Sequence, residues 1–189
     1  TLVIPPSVFL LDERVFLSLG ILKVAAALEA AGIDVELLDL SGVANYADAV
    51  RVHMKTTASR HVGITTTTPQ LPAARAVIET IREVRPAMHV TLGGPHATLV
   101  NAACKREVKR GVRYRAHVAL TVLNELADTI VAGDGEIAIF EALRDKAPAL
   151  IDADDRESPL WVPGSTLGEL PLPARHLVDM ESYHYMIEG

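Results

Sequence analysis

Short runs of aliphatic and β-branched residues alternate along this chain with longer stretches whose apolar positions return at helical spacing. Leu2-Val3-Ile4 reads as the end of a strand, stopped by Pro5-Pro6, which cannot continue a ladder. From Leu19 to Ala31 apolar residues recur at Leu19, Leu22, Ala26 and Ala30, and Gly32 follows as a C-cap. Val35 to Asp39 forms the second strand. The cycle repeats with a helix from Tyr46 to about Ala58, a strand from His61 to Thr65 and a helix from Pro72 to Val84. Strands at His89 to Leu92 and Asp128 to Val131 follow, then a helix from Ile137 to Lys146. Alternating strands and helices imply right-handed βαβ units and an α/β, doubly wound fold with helices on both faces of a parallel five-stranded sheet.

Two regions break the rhythm. Between Thr98 and Leu126 the crossover is long. Its first half is polar and basic (Lys105, Arg106, Lys109, Arg110, Arg113, Arg115), expected as a solvated face, and its second half, from His117, is helical. After Pro148 the pattern dissolves into Asp152-Ala153-Asp154-Asp155 and a series of prolines. The division is therefore a domain at 1–150 and an irregular tail at 151–189. Leu160, Trp161, Val162, Leu167, Leu170 and Leu172 make that tail apolar enough to wrap the domain surface.

With 189 residues, 49% of them apolar, the chain can bury a core without disulfides or structural metal. A net charge of −6 argues against a nucleic-acid surface, which needs clustered cations. No apolar run is long enough to span a bilayer and no signal-peptide pattern opens the sequence, so the expectation is a soluble, cytoplasmic protein with no membrane partner. Cys104 is the lone cysteine, which leaves no multi-cysteine metal or iron–sulfur site in the chain.

In an open parallel sheet, ligands lie beyond the carboxyl ends of the strands. Four loops occupy that position: the one from Pro5, Pro6 and Ser7 to Ser18, then Thr65-Thr66-Thr67-Thr68-Pro69-Gln70, Gly93-Gly94-Pro95-His96 and Gly133-Asp134-Gly135-Glu136. The paired glycines at 93 and 94 suit either close backbone approach to a flat ligand or a tight turn. Gly133 to Glu136 could turn helix amides toward a ligand, or let its own carboxylates cap the helix; a phosphate beside both carboxylates would be repelled. Hydroxyls at Thr65 to Thr68 can serve a ligand's amides or cap the next helix. His96 is a possible metal ligand or a turn residue. Dinucleotide, P-loop, Ser–His–Asp and H-E-x-x-H signatures are all absent, so no catalytic residue and no protein-held metal are assigned.

Taken in order, the Pro-Pro-Ser turn, Leu19-Gly20-Ile21-Leu22, Ala31-Gly32, Val62-Gly63-Ile64, Gly93-Gly94-Pro95-His96 and Gly133-Asp134-Gly135-Glu136 resemble the cobalamin-binding domain of cobalamin-dependent radical S-adenosylmethionine enzymes. Leu170-Pro171-Leu172-Pro173-Ala174-Arg175 through Tyr183 resembles the segment leading into their radical domain. The resemblance implies a Rossmann-like, flavodoxin-like sheet of order 2-1-3-4-5 that holds methylcobalamin for radical-based methyl transfer. Cofactor contacts are then expected at Pro6, Ser7, Asp12, Arg14, Leu19, Thr65, Thr66, Thr67, Thr68, Gln70, Gly93 to His96 and Gly133 to Glu136. Free-standing corrinoid proteins carry Asp-x-His-x-x-Gly; here Asp12-Glu13-Arg14-Val15-Phe16-Leu17 puts Arg where the cobalt-binding His would stand. A guanidinium cannot ligate cobalt, so the resemblance implies cobalt without a protein imidazole beneath it. S-adenosylmethionine and a four-iron four-sulfur cluster belong to a C-terminal radical domain, expected to follow Gly189 in a longer chain of which this is a portion, not catalytic alone. A standalone corrinoid carrier or sensor, or another doubly wound nucleotide-binding or signalling domain, are the alternatives. Pro5-Pro6 and Thr65-Thr66 stand where a receiver domain needs acidic residues.

Overall fold

The computed structural model describes residues 1–166 and 168–184. Leu167 and the last five positions of the expected tail lie outside the described residues. In chain order the elements are β1 (Leu2–Ile4), α1 (Leu19–Ala30), β2 (Leu37–Asp39), α2 (Tyr46–Thr56), β3 (His61–Thr65), α3 (Leu71–Val84), β4 (His89–Gly93), α4 (Pro95–Lys109), α5 (Arg115–Leu126), β5 (Thr129–Gly133), α6 (Gly135–Ala142) and β6 (Leu150–Ala153). All strand pairs are parallel, in the order β2-β1-β3-β4-β5-β6.

The order of the first five strands is the expected one, but the sheet has six strands, not five. β6 is hidden in the sequence because it is short, lies at an edge and carries an acid. Ile151 and Ala153 point into one apolar layer, while Asp152 points to the other side, where Lys105 of α4 holds it at 2.7 Å. The basic half of the long crossover is also helical. Ala97, Val100, Asn101 and Cys104 fall on one buried face of α4, Lys105 flanks it toward β6, and Arg106 and Lys109 are exposed. Glu107 then caps α5 by accepting from the amides of Tyr114, Ala116 and His117 at 2.8 to 3.1 Å.

The two faces of the sheet are packed differently. Val3, Val62, Ile64, Val90, Leu92 and Ile130 point toward α2, α3, α4 and α5. Leu2, Ile4, Val131, Ile151 and Ala153 point toward α1 and α6. The crossovers through α1 and α3 move in opposite directions along the sheet on opposite faces, and so share one hand. β5-α6-β6 moves in the same direction as β3-α3-β4 yet keeps α6 on the α1 face, so it has the opposite hand to the right-handed rule. That exception gives the second face two helices for six strands.

The tail does wrap the domain. Ala174 donates its N–H to the Leu22 carbonyl at 3.0 Å, and Val162, Ala174 and Val178 are buried. Tyr183 donates its hydroxyl to Asp39 at 2.7 Å, and burial pushes that phenol up to about 12.

Candidate functional site

Register decides where the opening lies. β3 and β4 pair residue for residue from His61 with His89 to Thr65 with Gly93. Val62, Ile64, Val90 and Leu92 thus share the fully packed face, and Gly63, Thr65, Thr91 and Gly93 share the other. Small and hydroxyl side chains therefore meet the sparsely covered face at its centre. A cleft of about 710 Å³ results, running between the first turns of α1 and α6.

Leu2, Gly63, Thr91, Gly93 and Val131 form its floor, while Gly20, Ile21 and Val24 form one wall and Gly135, Glu136 and Ile139 the other. Thr65, Thr67, Gln70 and Pro95 stand at the carboxyl edge, and Asp154 and Trp161 close the side beyond β6. All four loops singled out in the sequence contribute, the first of them through Ser18.

The glycines do two different jobs. Gly94 has φ +91°, and a Cβ there would stand 2.6 Å from Thr65 Oγ1 and 2.7 Å from the Thr66 nitrogen. The bare backbone lets Thr66 donate to Gly93 O and His96 donate to Thr66 O, both at 3.0 Å. Gly133, at φ +97°, lies against the Ala153–Asp154 peptide and donates its N–H to Thr98 Oγ1 at 2.9 Å. By contrast, a Cβ on Gly20 would meet nothing within 4 Å, and one on Gly93 would make only ordinary contacts with Val131. These two leave the cleft wide.

Of the expected contacts, Thr65, Thr67, Gln70, Gly93, Gly94, Pro95 and Gly133 to Glu136 line the cleft. The other eight sit outside its lining. Pro6 is buried, and Ser7 Oγ accepts from Gln70 Nε2 at 2.8 Å. The same amide nitrogen also reaches Pro5 O at 3.1 Å, so Gln70 ties the first loop to the threonine loop. Thr66 is fully buried and donates to Thr67 O at 3.0 Å; Thr68 pairs through its hydroxyl with His96 Nδ1 at 2.9 Å. Burial holds the His96 imidazole below its ordinary pKa. Asp12 accepts from the Arg14 amide at 2.9 Å, and Leu19 opens α1 with its side chain exposed. Arg14 serves the tail. Its guanidinium reaches Ser41 O at 3.0 Å, Asp39 at 3.9 Å and Ser182 Oγ, and lies 5.5 Å from the centre of the Tyr183 ring.

Apart from Gly93, the floor and the far side were not among the expected contacts. Gly63, without a side chain, and Thr91, with a hydroxyl, stand at inward positions of otherwise largely aliphatic strands, which is a usable signal; Trp161 and Asp154 lie in the stretch without periodicity and gave none.

Among the described residues that line the cleft there is no lysine, arginine, histidine or cysteine. Its charge is acidic and lies on the α6 side. Glu136 is buried and faces Lys23 at 3.5 Å. Asp134, partly desolvated at the rim beside Glu136 and Asp154, is raised above the usual carboxylate range. Among the described residues no group of three or more His, Cys, Asp or Glu could hold a metal ion, and no helix is long and apolar enough to cross a membrane. An apolar cleft with a few polar groups at its rim suits an organic ligand of cofactor size.

Comparison with known proteins points to the class of that ligand. No curated protein matches the chain. The radical S-adenosylmethionine methyltransferase TsrM from Kitasatospora setae, solved with tryptophan substrate and an S-adenosylmethionine analogue, is similar over 59% of this chain and 22% of its own. That match has 17% identity and a TM-score of 0.44, and the chain spans less than a quarter of that enzyme. The B12 binding domain family matches residues 13–123, more than half of the chain and a span that includes the cleft's floor at β3 and β4. This chain belongs to the B12 binding domain family.

Proposed function

We propose that this chain is the cofactor-holding part of a cobalamin-dependent radical S-adenosylmethionine methyltransferase, with the cleft between α1 and α6 receiving the nucleotide tail of cobalamin. The observation that carries the reading is the opening itself. It sits at the carboxyl edge of a B12 binding domain, and Gly20 and Gly93 face it with room where side chains would otherwise fill it. The residues fit the group. Ile21, Val24, Val131 and Ile139 offer apolar surface to a flat aromatic base, and Thr65, Thr67 and Gln70 offer hydroxyl and amide groups at the mouth. Val8, Phe9, Leu10, Leu11 and Phe16 are exposed on the loop after β1, at the same edge, and would shield a corrin from water.

Bound cobalamin supplies a cobalt-carried methyl group. The chain's own part is to bind it, orient it and exclude water, with no proton donor or nucleophile in play. Among the described residues that line the cleft none is a histidine, and Arg14 is committed to Asp39, Ser41 and Ser182, so binding there would rest on apolar, hydroxyl and amide contacts. The radical assignment rests on the ordered set of sequence motifs, including Leu170 to Arg175, the segment expected to lead onward to a radical domain.

The test is direct. The purified chain is incubated with hydroxocobalamin, desalted and examined by visible spectroscopy; retained corrin absorbance is expected, and a colourless protein refutes cobalamin binding. The reading frame beyond Gly189 then separates the radical enzyme from a standalone carrier, since the former requires three closely spaced cysteines to hold an iron–sulfur cluster.

A further inference from the structure

The side of the cleft beyond β6 is built by chain that has left the sheet. Trp161, the single tryptophan of the sequence, lines the cleft there together with Asp154. A series of local bonds fixes its position. Asp152 Oδ1 accepts from the Asp154 amide at 3.1 Å, and Asp155 O accepts from the Ser158 amide at 2.9 Å. Ser158 O then accepts from the Trp161 amide at 3.0 Å, and Ser158 Oγ accepts from the Leu160 amide at 3.2 Å. Lys105 anchors the start of this turn, at 2.7 Å from Asp152 and 3.7 Å from Asp155. The residues on either side are packed: Leu160 lies against the apolar layer of α1 and α6, and Val162 is buried.

The indole is only half-buried although its neighbours on both sides are tied down. A large apolar ring held by a stapled turn, with one side left open to a cleft, is arranged to meet a ligand. The cleft's other walls carry aliphatic side chains, Ile21 and Val24 on α1 and Ile139 on α6. Asp134, Glu136 and Asp154 disfavour a phosphate in this part and tolerate a neutral or protonated nitrogen heterocycle.

We propose that Trp161 is a specificity-determining residue that stacks on the aromatic base of the corrinoid's nucleotide tail, so that the chain distinguishes corrinoids that carry such a base from those that lack it. This rests on the cobalamin reading of the cleft, and the experiment separates the two. The affinities of the whole 189-residue chain for hydroxocobalamin and for dicyanocobinamide, which has the corrin but no nucleotide, are measured by absorbance titration. The proteins are the wild type, Trp161→Ala, Trp161→Phe and Trp161→Leu. Loss of an aromatic stacking partner is expected to weaken cobalamin about tenfold in the Ala and Leu variants. Cobinamide affinity should stay within about twofold, and Trp161→Phe should retain most of the cobalamin affinity. The Leu variant keeps apolar bulk, so it carries the test should the Ala variant not fold. Equal losses for both corrinoids, or no loss for either, overturn the role of Trp161 and leave cobalamin binding intact. Failure of the wild type to bind cobalamin overturns the reading beneath it.

Discussion

The two faces of the central strands are given opposite tasks by alternate residues of the same segments. On one face Val62, Ile64, Val90 and Leu92 are sealed under four helices, each no more than 2% exposed. On the other, Gly63, Thr91 and Gly93 form the floor of the cleft beside the amino-terminal ends of α1 and α6. At these central strands the sealed layer supplies the larger share of apolar burial, so the other layer can leave space beside its own smaller core. A strand one residue out of register would exchange the faces and lose both the core and the cleft.

The comparison breaks most sharply where the open face is fastened to the closed one. Gly133→Ala places a methyl group inside the Ala153–Asp154 peptide at a left-handed φ of +97°. The strain and the overlap together should cost about 3 kcal/mol or more, seen as a lower urea midpoint, with binding lost because β6 and Trp161 are displaced. Leu92→Ala acts on the sealed face alone. Leu92 is fully buried, so the cavity should cost about 2–5 kcal/mol. Cobalamin affinity, measured below the unfolding transition, should change little, because Leu92 does not line the cleft. A large loss of affinity in a still-folded Leu92→Ala protein would show that the two faces are not separate in function.

The same division explains what can be read from the sequence. The sealed face is legible because its residues are aliphatic and periodic. The pattern places His61 to Thr65 to the residue, whereas the order of the first five strands is legible only through the resemblance to cobalamin-binding domains. The loops at the carboxyl edge are legible through Gly93-Gly94 and Gly133-Asp134-Gly135. β6 and α4 are not, because ion pairs between them place charges where the pattern demands apolar residues; Lys105 and Asp152 satisfy each other only after folding. Arg14 draws attention as the residue in a cobalt ligand's place, yet its partners Asp39 and Ser182 come from distant chain that no local spacing could reveal. Thr66 and Thr68 read with Thr65 and Thr67 as one run of hydroxyls, whereas the turn sends Thr66 into the interior and Thr68 toward His96.

Filling the open face sharpens the contrast without loading the closed one. Gly20 lies in α1, borders the cleft and has nothing within 4 Å of the point where a β-carbon would stand. Gly20→Leu should leave stability unchanged or raise it by up to about 1 kcal/mol, since Leu is a far better helix former. It should weaken cobalamin at least about tenfold by occupying space the ligand needs, a loss of roughly 1.4 kcal/mol. Stability and affinity then move in opposite directions, which calorimetric unfolding and absorbance titration on the same protein would record. If Gly20→Leu bound cobalamin as the wild type does, the α1 side of the cleft would not be where the ligand lies.

The smallest effect expected is one of pH, and it distinguishes the two ends of the open face. At the amino end His61 is held below its ordinary pKa, by burial first and then by His89, whose ring centre is 5.3 Å away; His61 Nδ1 is buried without a hydrogen-bond partner. At the carboxyl end His96 is lowered by burial alone. As pH falls below about 6.5, the unfolded chain takes up protons that these folded imidazoles refuse, so stability declines. Above that pH all forms are neutral and neither histidine contributes. Asp134 runs the other way, because a carboxyl raised in the folded chain favours folding on protonation, but its window lies lower, toward the carboxylate range. Urea midpoints should therefore fall between about pH 7.5 and about pH 5.5 for the wild type, and fall less for His96→Asn, whose side-chain oxygen can still pair with Thr68. An equal drop in both proteins would assign the acid sensitivity to His61 and the amino end, away from the ligand's edge.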